Sequence, residues 1–171
     1  QSVTPPQPHA EHLPLRRISA TAYEDLRRCP YRFFALRLLG LQEADELDLP
    51  VDKRDFGLWL HEVLNVFQQH LRDAGLLPIE QRVALLDAAM HTVSERQQLD
   101  AAEFLPFAAA WPRLRDGYLA WLQAHEASGA RFEQGESAHE QGLGEITLFG
   151  KVDRVDAMPD GLPFVIDYKT E

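Results

Sequence analysis

The hydrophobic rhythm of the chain changes near Ala130, and that change limits what it can fold into. Before it, apolar residues recur every three or four positions. Trp59, Leu60, Val63, Leu64, Phe67 and Leu71 stripe one face of a helix predicted over 56–71. Shorter stripes predict helices over 81–98 (Val83, Leu86, Met90, Val93) and 112–125 (Leu114, Tyr118, Trp121, Leu122). After it, 132–138, 146–158 and 162–169 read as strands separated by Gly-containing turns. The chain is thus mainly helical to about residue 127 and strand-rich from about 130, a mixed α/β (α+β) class.

Upstream of these elements, Pro5, Pro6, Pro8 and Pro14 mark residues 1–17 as an extended linker, so His9 and His12 are expected to be unstructured. Ser19 or Thr21 can cap a helix, and Thr21 with Glu24 matches a capping box. That helix should reach Cys29. Pro30 then suits the first turn of a short helix over 31–39, ended by Gly40. Residues 41–55 carry six acids against Lys53 and Arg54 and read as a solvated loop.

The 171 residues suffice for one domain with a sizeable core. The longest apolar stretch, 104–111, is interrupted by Pro106, so no bilayer span and no membrane partner are expected. No signal peptide is expected, and the single cysteine, Cys29, excludes a disulfide within these residues; a reducing cytoplasm is the expected compartment. The chain starts at Gln1 rather than Met and reads as a piece of something longer. Its net charge of −10 excludes a protein held to nucleic acid by bulk charge alone.

The segment Met158-Pro159-Asp160-Gly161-Leu162 carries the sharpest local information. Pro at the second position of a type I turn, followed by Asp and a left-handed Gly, suits a three-residue hairpin loop with a bulge at Gly161. That turn sets Met158 against Leu162, and hence Val155 against Val165, Asp153 against Asp167 and Lys151 against Lys169, these last six side chains sharing one face. Opposed Cβ atoms lie roughly 4.5–5.5 Å apart, so two carboxylates there repel unless a cation sits between them. Mg²⁺ or Mn²⁺ would satisfy both and leave positions for water and phosphate. Lys169 would then lie close enough to position an attacking water, the arrangement that phosphodiester hydrolysis needs. A wet charged hairpin face accounts for the same alternation, and a two-residue Asp160-Gly161 turn would place the aspartates on opposite faces; the hairpin alone leaves these open.

Other clusters are weaker. His61-Glu62-Val63-Leu64-Asn65 approaches a zinc-protease helix, but Asn65 stands where the second imidazole is required, and that reading is rejected. Between 15 and 40, Arg16, Arg17, Arg27, Arg28, Arg32 and Arg37 face only Glu24 and Asp25, as a phosphate-contacting patch (Arg27, Arg28, Arg32) or as a solvated helix face. Trp111, Trp121 and Tyr118 fall at helical spacing and are expected in the core.

Four blocks together resemble the PD-(D/E)XK nuclease superfamily, in particular its RecB/AddB-like branch from bacterial helicase–nuclease machines. They are Ile18-Ser19-Ala20-Thr21 through Cys29-Pro30-Tyr31-Arg32-Phe33-Phe34; Gly57-Leu58-Trp59-Leu60-His61-Glu62-Val63-Leu64; Gly150-Lys151-Val152-Asp153-Arg154-Val155-Asp156; and Val165-Ile166-Asp167-Tyr168-Lys169-Thr170. The resemblance implies a restriction-endonuclease-like core with a large N-terminal and inserted helical part and a C-terminal β-hairpin. It implies Asp153 and Asp167 as metal ligands, Lys169 as the catalytic lysine, His61 as a further ligand or a group beside the metal, and the Tyr168 carbonyl as another ligand. Glu133 and Glu136 lie on the preceding strand, where some relatives add an acid. In iron–sulfur members a cysteine at the position of Cys29 joins three downstream cysteines around a [4Fe–4S] cluster. With no second cysteine here, such a cluster is possible only in a longer parent, and Cys29 is otherwise expected as a buried thiol between two helices. Relatives continue past the lysine with a strand, a helix bearing a Gln/Tyr motif and a final strand, so the core here is expected to be incomplete, with an unpaired sheet edge.

The resulting expectation is a Mg²⁺- or Mn²⁺-dependent deoxyribonuclease domain of a DNA repair or recombination protein, acting on DNA beside a helicase-like domain or subunit. Two other classes compete. One is a catalytically inactive nuclease-like module that binds DNA or a partner; the other is a helical adaptor whose hairpin is incidental.

Overall fold

The computed structural model describes residues 15–41, 53–99 and 104–169. Residues 1–14 of the Pro-rich linker, with His9 and His12, and most of the expected acidic loop lie outside them; the linker's expected end at 17 gives way to a strand that already begins at Arg17. The chain forms two compact units, Gln1–Glu43 with Ala138–Gly150, and Ala44–Ser137 with Lys151–Glu171.

In the first unit, strand β1 (Arg17–Ser19) runs parallel to the start of the long strand β3 (Ile146–Ala157), with Ile18 paired to Leu148. Three residues are too few for an alternation to be visible, and the sequence reading passes straight from linker to helix. Helix α1 (Ala20–Arg28) follows at once. Ser19, still extended at φ −73° and ψ 155°, caps it by accepting from the Ala22 N–H at 3.1 Å. The cap is therefore Ser19 rather than Thr21, because the chain turns helical where the strand ends. Cys29 is extended, and Pro30 opens α2 (Pro30–Phe33), which continues as a π-helical turn over Phe34–Leu38 and stops at Gly40 with φ +64°. Ile18, Ala22 and Phe33 form a small core with Leu26, Leu38, Ile146 and Leu148 around it.

The second unit holds α3 (Lys53–Ala74), α4 (Ile79–Arg96) and α5 (Leu105–Ala127). The predicted stripe of α3 is buried: Val63 and Phe67 reach 0% exposure, as do Leu86 and Val93 of α4 and Leu122 of α5. Each such side chain contributes about 1.5–3 kcal/mol by leaving water. The Trp59 indole N–H donates to Ser94 Oγ at 3.0 Å, tying α3 to α4 inside this core. Helix α5 starts seven residues earlier than its apolar stripe indicates. Pro106 occupies its first turn, where a missing N–H costs nothing, and Pro112, expected near the start, sits inside the helix on its exposed side. Trp111 is buried and donates to Asp87 at 2.8 Å. Trp121 is not core: it is 38% exposed and stacks on His125, their ring centroids 5.0 Å apart. No helix among the described residues is long and apolar enough to cross a membrane.

Strand β2 (Arg131–Leu143) neighbours β3, and β4 (Pro163–Ile166) pairs antiparallel with β3's far end. The register is the one expected from the turn, with Val155 opposite Val165. Gly161, at φ +79°, donates to the Met158 carbonyl at 2.9 Å, and Asp160 Oδ1 accepts from the Leu162 N–H at 3.0 Å. The strand ends at Ile166, three residues before the expected limit.

The tip of this hairpin rests on the turn after α5. Gly129 there has φ +92°, and a Cβ on it would lie 2.5 Å from Pro159 Cγ. Gly129→Ala should therefore cost about 1–3 kcal/mol, from backbone strain plus the clash. Thermal unfolding would show it as a lowered Tm; an unchanged Tm would mean that the hairpin tip yields freely.

Candidate active site

The register of β3 and β4 brings acids toward the face of α3 that carries His61. On α3, His61 follows the buried Leu60 and remains half-exposed at the edge of the apolar stripe. Its Nδ1 lies 3.3 Å from Asp153 Oδ1 and its Nε2 3.0 Å from the Tyr168 carbonyl. The Tyr168 N–H donates to Asp153 Oδ2 at 2.7 Å. Both main-chain polar groups of Tyr168 are thus held by site side chains, which accounts for β4 ending early: residues 167–169 bond to the site instead of to a ladder.

Donor atoms of His61, Glu136 and Asp153 all lie within 4.8 Å of one another, a grouping able to hold a metal ion. Glu136 reaches it from a kinked β2, where its own φ is +52°, a conformation costing about 1–2 kcal/mol in a non-glycine residue. Lys151 pairs with the Glu136 carboxylate. Glu133 is exposed and outside the grouping. Alternation along β2 could not have separated the two glutamates, because the kink breaks the period. The one usable signal was Gly135, immediately before Glu136. A Cβ on Gly135 would sit 2.3 Å from Asn65 Oδ1, so glycine is what leaves room for the Asn65 amide between α3 and β2 here. Gly135→Ala should displace the Asn65 amide from Gln69 and weaken any cation binding at His61, Glu136 and Asp153 by a few-fold at most. Calorimetric titration with Mn²⁺ would measure it, and trimming Asn65 to alanine in the same chain should restore part of the loss.

The Asp153 and Asp167 carboxyls influence each other, and Lys169 Nζ lies 2.7 Å from Asp167 Oδ2. Burial raises the Asp153 carboxyl above the usual carboxylate range, only partly offset by the Tyr168 N–H and His61. Asp167 is lowered, chiefly by its hydrogen bond to Lys169. Burial and the Lys169 ammonium thus push the two neighbouring carboxyls in opposite directions, Asp153 up and Asp167 down.

This split has a measurable consequence. A carboxyl raised in the folded state contributes stability while protonated and loses it as pH rises through the folded value. Without metal, Asp153→Asn should therefore be more stable than the parent at neutral pH. The gap should close as pH falls to where the parent's own Asp153 is protonated, and saturating Mn²⁺ should reverse the order. Melting curves at several pH values with and without EDTA test both signs.

The remaining expected residues lie apart from this cluster. Glu62, the would-be base of a zinc-protease helix, is held by Arg96 at 2.6 Å and Gln97 at 2.7 Å. In the first unit, Arg28 pairs with Glu24 at 2.8 Å, while Arg32 (3.2 Å) and Arg37 (2.9 Å) share Asp25. Arg27 is exposed and has no ion pair among the described residues. Exposed pairs of this kind are weak enough for a phosphate to displace. Cys29 is half-buried at the α1–α2 junction rather than buried, because its extended backbone lies at the break between the helices.

Behind the cluster is a group that the sequence reading did not find. Arg154 and Asp156, exposed by only 2% and 0%, form a two-pronged pair at 2.6 and 2.8 Å. His125 Nε2 lies 2.8 Å from Asp156 Oδ2, and Arg154 Nη1 donates to the Tyr118 hydroxyl at 3.1 Å.

Similarity to known proteins runs over nearly the whole chain. It is 29% identical over 182 residues to an ATP-dependent helicase/deoxyribonuclease subunit from Desulforudis audaxviator (strain MP104C), covering 89% of the chain but 15% of that protein. It is 28% identical over 166 residues to the like-named protein from Streptococcus equi subsp. zooepidemicus (strain H70), covering 93% of the chain and 14% of the relative. The chain therefore spans only a small part of the length of these relatives. The sequence model of the PD-(D/E)XK nuclease superfamily matches residues 17–171, from β1 through His61 and Asp153 to the Asp167-Tyr168-Lys169 segment, and the chain belongs to that superfamily.

Proposed function

We propose that this chain is the divalent-metal-dependent nuclease part of a larger helicase–nuclease, hydrolysing DNA phosphodiesters to leave the phosphate on the 5′ side. The observation that carries the reading is the meeting of His61, Asp153, Asp167 and Lys169 around the Tyr168 peptide. The donor set is one imidazole with carboxylates and a peptide carbonyl, rich in hard oxygens, and fits Mg²⁺ or Mn²⁺. His61, Asp153, Asp167 and the Tyr168 carbonyl would hold the ion, with Glu136 as an additional carboxylate. Such an ion, when bound, makes water more acidic and offsets charge on the phosphate.

The chain's own groups supply the rest. Lys169, its side chain 71% exposed, presents N–H donors to a phosphate oxygen and to the attacking water. Asp167, kept ionised, orients that ammonium group. Arg27, Arg28 and Arg32 would contact the DNA backbone, a local attraction that an acidic chain needs. Single-stranded ends delivered by a helicase-like partner are the natural substrate, since the strand is then held by other parts of the assembly.

The test is incubation of the full-length protein with end-labelled single-stranded DNA and Mg²⁺ or Mn²⁺. The reading expects cleavage that stops on adding EDTA, with 5′-phosphate products. Intact DNA under all conditions, or cleavage indifferent to EDTA, would overturn it.

A further inference from the structure

The segment Asp167-Tyr168-Lys169 lies beyond the last paired residue of β4, Ile166, so no strand ladder fixes it. Both exposed side chains that the proposed chemistry uses are on this unpaired stretch, with Tyr168 between them turned inward and half-buried. We propose that Tyr168 is a positioning residue, its phenol plugged into a socket formed by Tyr118 and Arg154 that sets where Asp167 and Lys169 stand. The inference rests on the nuclease reading and adds a role for the residue between the two reacting groups.

Parity along the hairpin explains the arrangement. Asp153, Val155, Val165 and Asp167 share one face; Arg154, Asp156, Ile166 and Tyr168 share the other. The Tyr168 ring packs edge-on against Tyr118, centroids 6.2 Å apart, and against His61 at 5.8 Å. Its hydroxyl lies 3.4 Å from that of Tyr118. The Tyr118 oxygen already accepts from Gln68 Nε2 at 2.7 Å and from Arg154 Nη1 at 3.1 Å. With both lone pairs engaged, the Tyr118 O–H has its proton left to give, and Tyr168 is the acceptor in reach. Arg154 cannot swing away, because Asp156 grips it at two points and is itself fully buried against His125. Tyr168 is thus fixed at three places: phenol in the socket, N–H on Asp153, carbonyl on His61. Removing the phenol leaves only the two main-chain contacts, both on residues that a bound ion would also claim.

The experiment compares Tyr168→Phe and Tyr168→Ala with the parent full-length protein by steady-state cleavage and by hydrogen–deuterium exchange over 165–169. Tyr168→Ala should lower kcat by about 10²-fold, the cost of misplacing reacting groups by an ångström, with KM for DNA nearly unchanged. Exchange of the Tyr168 amide should quicken by at least about tenfold while α3 and α5 keep their protection. Tyr168→Phe, which keeps the ring, should lose only a few-fold in kcat and remains informative if the alanine variant fails to fold. Unaltered exchange at Tyr168 in both variants would overturn the socket whatever the activity, as would a folded alanine variant with full kcat. A parent protein that never cleaves DNA would overturn the nuclease reading instead, and the exchange data alone would then decide the anchor.

Discussion

Asp153→Asn in the full-length protein is expected to cut DNA at less than about 1/1,000 of the parent rate, and Lys169→Ala at about 1/100 to 1/1,000, a range seen when one preorganised electrostatic group is removed. The two losses have different origins. Asn keeps an oxygen that can accept the Tyr168 N–H, so the strand end stays in place, but it carries no charge for a cation and none to oppose His61. Lys169 is largely exposed, so its loss removes the N–H donor proposed for the phosphate together with the partner that holds Asp167 ionised. Raising Mn²⁺ should recover part of the Asp153→Asn activity by mass action and none of the Lys169→Ala activity. The apo stability of Asp153→Asn makes the assignment sharper: a structural carboxylate would lose stability together with activity, whereas this one should gain stability as activity falls. Full cleavage by either variant would remove its residue from the chemistry.

What the sequence revealed and what it hid follow one physical division. The Pro159-Asp160-Gly161 turn was legible because few residues tolerate its dihedrals, and one turn then fixed the register that places Asp153 beside Asp167. The stripe of α3 was legible because a helix with one buried face must repeat every 3.6 residues. Strand β1 was not, since three residues that pair only through a distant partner leave no period. Glu136 could not be told from Glu133 because a kink in β2 breaks the alternation on which such a distinction depends. Residues 139–143 extend β2 on exposed positions, so nothing in their polarity separates strand from turn. Arg154 and Asp156 were hidden for the opposite reason: charge reads as solvent exposure, and only the partner residues, remote in sequence, reveal that these two are core.

That buried pair sets the largest expected effect on stability. Arg154→Ala should cost about 3–5 kcal/mol, because it strands the Asp156 carboxylate at 0% exposure with only His125 to answer it. Against the usual 5–15 kcal/mol of a folded domain, such a loss leaves the second unit marginal and should lower Tm by well over ten degrees. Arg154→Met with Asp156→Leu removes both charges together, and apolar replacement of a buried pair is often neutral or better, so the double variant should regain most of the lost stability. Activity should not return with it. Tyr118 would lose the guanidinium N–H that it now receives at 3.1 Å, and the socket for Tyr168 would slacken even though the core is sound. Denaturant unfolding and cleavage rates on the same three proteins separate the two roles. If the double variant recovers stability and cleavage together, the pair serves only to fill the core; stability without cleavage ties these buried charges to the placement of Asp167 and Lys169.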